Sequence, residues 1–186
     1  MRLLLFVLPL CAVVGCNQSY NFDKSVADTQ NEIASRVRPL DTSKPPPKIP
    51  LPEKPPMQID IEKVKAASAS VTALKIEDIV VGSGPTVATG KYLTVHYVGM
   101  LPDGYVFDSS YQKQDAQPYT FLYNPAQPAV IQGWIQGLKG MKVGGHRKLT
   151  IPASLGYGAT PPAGSPIPPN SALVFDVVLM FVGDTE

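Results

Sequence analysis

The chain has 186 residues, 44% of them hydrophobic, with 16 Lys and Arg against 15 Asp and Glu for a net charge of +1. That length accommodates one core plus an appendage, and the balanced charge argues against a nucleic-acid binder, which needs a basic face to neutralise phosphates. The 20 prolines are concentrated rather than spread, and no internal repeat is visible.

The first fifteen residues read as an export signal. Arg2 supplies a positive start, and Leu3 to Val14 form an apolar run too short to span a bilayer. The run stops at Val13-Val14-Gly15-Cys16, which resembles the lipobox of bacterial lipoproteins, with small Gly15 before the Cys that receives lipid. Cys11 follows bulky Leu10 and fits that pattern poorly. The alternative is an ordinary cleaved signal peptide with a coincidental Cys. Removal of residues 1–15 takes Cys11 with it and turns Cys16 into a thioether, leaving neither a free thiol nor a disulfide. Acyl chains on Cys16 anchor through about 0.8 kcal/mol per buried methylene. Asn17, in place of the Asp tied to inner-membrane retention in enteric bacteria, favours the outer membrane. The expected location is the bacterial cell envelope, anchored by lipid and facing the periplasm.

A tether follows. Residues 17–38 are polar, with a short helix expected over 26–37. Pro39 to Pro56 hold eight prolines in eighteen residues, the composition of a polyproline-type spacer. At about 3.1 Å per residue it extends roughly 55 Å. A ligand for a proline-reading module is the other reading, and the blander stalk is preferred. The segment holds few groups able to pack, so it is expected to be dispensable for chemistry.

Past residue 70 the pattern changes to that of a folded domain. Leu93, Val95 and Tyr97 alternate with Tyr92, Thr94 and His96, the period of a half-buried strand. Pro102-Asp103-Gly104 then turns the chain into a second short strand ending at Phe107-Asp108. An aromatic wall and one carboxylate thus converge on one end of a sheet. In residues 129–138 the apolar positions 130, 131, 134, 135 and 138 form the stripe of a short amphipathic helix. Gly133 and Gly137, one turn apart, let a sheet approach that face despite their cost to helix propensity. A Pro/Gly/Ser loop follows Leu155-Gly156-Tyr157-Gly158-Ala159-Thr160. The terminal run 172–181 is apolar and β-prone, as in a central strand covered on both faces.

The segments HYVGMLPDGYVFDSS, VIQGWIQGLKGMKVGGHRKLTIP, GYGA and IPPNSALVFDV occur in this order. Together they resemble the FKBP family of peptidyl-prolyl cis-trans isomerases, over roughly Val71 to Gly183. The resemblance implies an α+β fold, a bent antiparallel sheet of five to six strands wrapped around one short helix. The expected organisation is then a lipoprotein signal peptide over 1–15, a lipidated Cys and Pro-rich flexible linker over 16–70, and over 71–186 the isomerase domain that the resemblance implies.

Carried over residue by residue, the resemblance makes Trp134 the floor on which a proline ring rests. Tyr97, Phe107 and Phe175 become aromatic walls, with Tyr119 where the family usually has Phe. Val130 and Ile131 begin the helix, and the Ile131 N–H bonds a substrate carbonyl. Tyr157 offers its hydroxyl to another carbonyl, Asp108 supplies a polar contact near the rotating amide, and Ile167 sits on a flap. Each aromatic taken alone is more simply core packing. The implied partners are proline-containing polypeptides and the macrolide inhibitors of the family; no cofactor or metal is implied, and a monomer is expected.

Two departures stand out. Residues 111–117 make a longer loop than in compact relatives, and no Arg lies there to pair with Asp108; Lys113 is a point charge without a bidentate fork. The loop from Pro161 to Pro166 is richer in Pro. Competing chemistries do poorly: His96 lies opposite the core face, His146 is placed in a turn, and no cluster has metal-ligand spacing. No Gly-x-Ser-x-Gly elbow appears. The functional alternative is a lipid-anchored chaperone or host-interacting binding module with little turnover.

Overall fold

The computed structural model describes Ile49, residues 58–112 and residues 116–184. Its elements run α1 (Ile61–Ser70), β1 (Lys75–Val80), β2 (Lys91–Met100), β3 (Val106–Ser109), β4 (Tyr119–Tyr123), α2 (Gln132–Gly137), β5 (His146–Ile151) and β6 (Leu173–Gly183). The six strands form one antiparallel sheet in the order β1-β5-β6-β2-β3, with β4 also paired to β2. The expected fold class is therefore the observed one. Cys16, the export signal and the helix expected over 26–37 lie outside the described residues.

The α2 helix packs on the inner face of the sheet, and two glycines set the distance. A Cβ on Gly133 would stand 2.4 Å from Ile151, and one on Gly137 would stand 2.7 Å from Leu149. Any side chain there would push helix and sheet apart. Arg147, buried on β5, fastens the far end of the helix. Its guanidinium donates to the carbonyls of Gly137 and Lys139 and forks onto Asp78 at 2.7 and 3.0 Å. The Tyr123 hydroxyl donates to the Ile135 carbonyl at 2.7 Å, tying β4 to the same helix.

Four expectations need correction. The first concerns the linker, because α1 lies within residues 16–70. Its Asp60 N-cap accepts from the Lys63 N–H, Val64 is fully buried in the main core, and Ser68 Oγ accepts from the Ala172 N–H at 2.9 Å. The packed unit therefore begins before residue 71. The alternation that marks α1 is weak, since only Val64 and Ser68 of its ten residues are buried.

The second concerns α2, which is shorter than the apolar stripe suggested. Val130 and Ile131 precede it, with Ile131 in extended backbone as its N-cap. The third concerns β2, which is buried on both faces from Leu93 to Met100 instead of on one. It sits between β6 on one edge and β3 and β4 on the other, and its outer face is covered as well. The fourth concerns His146, which opens β5 and lies 3.1 Å from Asp176, rather than standing in a turn. His96 does face away from the core, as expected; its Nδ1 lies 3.0 Å from Ser110 Oγ and its ring stacks on Tyr111.

Candidate functional site

The β2–β3 hairpin supplies one side of an aromatic cluster. Its register sets Gly99 opposite Asp108, so Tyr97, two residues back on the same face, meets Asp108 on the diagonal. The Tyr97 hydroxyl donates to Asp108 Oδ2 at 2.5 Å, the short end of such bonds. Burial first, and then the neighbouring Asp108 carboxylate and its hydrogen bond, hold the Tyr97 hydroxyl well above its ordinary pKa. Tyr157 is pushed upward too, by burial and by Asp108. Both phenols therefore stay protonated at neutral pH and can act only as hydrogen-bond donors or acceptors.

Trp134, on α2, is the centre of the aromatic set. Its ring lies 5.4 Å from Tyr97, 5.3 Å from Phe175, 6.3 Å from Tyr119 and 5.8 Å from Phe121, mostly edge to face. Phe107 meets Phe175 edge to face at 5.6 Å. That contact depends on Gly99, where a Cβ would come within 2.8 Å of both rings. Val130, Ile131 and Tyr157 pack around the same cluster half-buried, and Ile167 is buried within it. The sequence-derived residues thus converge, apart from Cys16, which is not among the described residues.

Sequence reasoning missed Phe121. It stacks on Tyr119 at 5.5 Å and closes the cluster beneath Trp134. The signal was present: Phe121 lies two positions from Tyr119 on the same strand, hence on the same face.

The cluster leaves hydrogen-bonding groups for a guest. Among the described residues the buried Trp134 Nε1 has no hydrogen-bond partner. The Ile131 N–H likewise has none among them, while its carbonyl accepts from Trp134 and Ile135. An aromatic cluster with a few such groups offers the chemistry that a small hydrophobic guest carrying carbonyls requires. Among the described residues no group of His, Cys, Asp and Glu could hold a metal, and no helix is long and apolar enough to cross a membrane.

Comparison with known proteins agrees with this architecture. FK506-binding protein 4 of Dictyostelium discoideum is 47% identical over 125 residues; these are 64% of this chain, which spans only 32% of that protein's length. An FK506-binding protein of Neisseria meningitidis is 48% identical over 110 residues, covering 59% of this chain and 96% of that protein. The crystal structure of FkpA from Escherichia coli aligns with a TM-score of 0.54 at 30% identity, covering 88% of this chain and 60% of that one. The family model for FKBP-type peptidyl-prolyl cis-trans isomerases matches residues 84–180, just over half of the chain, and with the fold and the aromatic cluster in place the chain belongs to that family.

Proposed function

We propose that the Trp134-centred pocket is where this isomerase turns its prolyl bonds, in polypeptides of the bacterial cell envelope. An X-Pro amide resists rotation because the C–N bond has partial double-bond character, with a barrier of about 18–20 kcal/mol. The twisted transition state has lost that resonance and part of its carbonyl polarity. A dry aromatic pocket favours it over the planar, better hydrated ground state. Lowering the barrier by about 7 kcal/mol gives roughly a 10⁵-fold acceleration, without a nucleophile, base or metal.

In this reading the proline ring rests on Trp134 between Tyr97, Phe107, Tyr119 and Phe175. The Ile131 N–H and the Tyr157 hydroxyl bond the carbonyls on either side, with Asp108 near the rotating amide and Ile167 and Val130 at the rim. The observation that carries it is the Ile131 N–H beside the aromatic cluster, unpartnered among the described residues. Tyr97 takes over part of the task of an Arg partner, since its hydroxyl holds the Asp108 carboxylate. Macrolides recognised by FK506-binding relatives would compete for the same floor.

The location rests on Val13-Val14-Gly15-Cys16 at the end of the apolar run. In this reading Cys16 carries lipid, and the enzyme works from the outer membrane as a monomer. A protease-coupled prolyl-peptide assay tests the pocket. Acceleration that an FKBP-directed macrolide abolishes is expected; no acceleration by the folded chain would leave a binding module instead. Mass spectrometry of the mature amino terminus tests the anchor, which an unmodified terminus would refute.

A further inference from the structure

The outer face of the sheet, opposite α2, is covered where a single-layer sheet would leave it open. Val98 and Val178 are 0% and 1% exposed, and Met100 is 9% exposed. Val98 and Met100 alternate with Tyr97 and Gly99, which face the pocket, so they point away from the main core. They form a second cluster, with Val106, Tyr111, Val174 and Met180 packed around it. The remaining buried member is Ile49, 5% exposed, from the middle of the proline-rich stretch. The Ile49 backbone also hydrogen-bonds Tyr111, whose ring stacks on His96.

We propose that this outer face is the docking site for the chain's own proline-rich segment, with Ile49 as the side chain that anchors it. The described chain resumes at Gln58, and the Asp60 N–H bonds the Asp103 carboxylate in the β2–β3 turn. Met100 and Val106 flank that turn and belong to the Ile49 cluster. Nine residues reach at most roughly 30 Å, so the anchor at Ile49 and the Asp60–Asp103 bond lie within about that span of each other. Pro47 and Pro50 beside Lys48 and Ile49 restrict the backbone before docking, so little entropy is lost on binding. The expected dispensability of residues 17–56 gives way here to a segment that stabilises the domain.

The test uses the full chain after residue 15, comparing Ile49→Asp and Ile49→Leu with the parent. Ile49→Asp should lower the urea midpoint by about 0.5–1 M, while Ile49→Leu stays near the parent. Carbon-13 methyl spectra should show Met100 and Met180 moving toward solvent-exposed shifts in Ile49→Asp alone. Unchanged midpoint and methyl signals in Ile49→Asp would overturn the proposal. So would docking that weakens on dilution together with a dimer, because a second copy would then supply Ile49.

Discussion

The Tyr97 hydroxyl and the Asp108 carboxylate meet at 2.5 Å across the β2–β3 hairpin. The contact holds the Asp108 carboxylate from the neighbouring strand. A phenol restrains one oxygen of Asp108 and leaves the other able to accept a bond. It also couples a pocket wall to a polar group, so a change in one is felt by the other.

Tyr97→Phe therefore keeps the ring and releases Asp108. Leaving a half-buried carboxylate without this partner costs about 1–3 kcal/mol, and kcat/KM in the prolyl-peptide assay should fall by roughly tenfold. The rate of the parent should stay flat between about pH 6 and 8, since both pocket phenols are held above their ordinary range. A bell-shaped profile in that window would show proton transfer in the rate-limiting step.

Trp134 is the next lever. Trp134→Ala empties a 4% exposed site and should cost about 3–5 kcal/mol of stability. Trp134→Leu refills part of the volume, so it separates floor from scaffold. Its urea midpoint should recover substantially while KM for prolyl peptides stays raised. Equal recovery of both would mean that the ring acts only as core.

Gly99→Ala places a methyl against Phe107 and Phe175 at 2.8 Å. Overpacking of this kind costs about 1–3 kcal/mol, and here it parts two rings of the aromatic cluster. Activity should fall further than stability. An unfolding midpoint and rate both equal to the parent's would refute that close approach.

His96 makes stability depend on pH. Burial lowers its pKa below the ordinary 6.5, so below about pH 6.5 the unfolded chain binds a proton that the folded chain refuses. Stability from this group is therefore complete above that pH and declines as the pH falls. Urea midpoints measured from pH 7.5 down to about 5 should drop, and His96→Gln should flatten part of the slope. A slope identical in His96→Gln would assign the loss to other groups.

The domain boundary gives a last prediction. A chain beginning at residue 71 loses fully buried Val64 and the Ser68–Ala172 bond. It should be less stable than one beginning at residue 58 by about 2–4 kcal/mol. Equal unfolding midpoints would show α1 to be peripheral.

The aromatic cluster was legible because its residues sit on elements with clear periods. Tyr97, Phe107, Asp108 and Phe175 lie on short-range strand patterns, and Trp134 on a helical stripe; the motif order supplied the family. Gly133 and Gly137 announced a close helix–sheet contact before any distance was known. What the sequence determined by itself was the set of local periods and turns, since these depend on neighbours two to four residues apart. Only the tertiary structure decided that Val64 enters the core, that Ile49 covers the outer face, that Phe121 closes the aromatic cluster, and that the Tyr97 hydroxyl bonds Asp108. Each of these depends on groups brought together from distant parts of the chain or across a strand pair. Burial of that kind is a property of the assembled sheet, because alternation along β2 says which residues share a face but not what lies over either one.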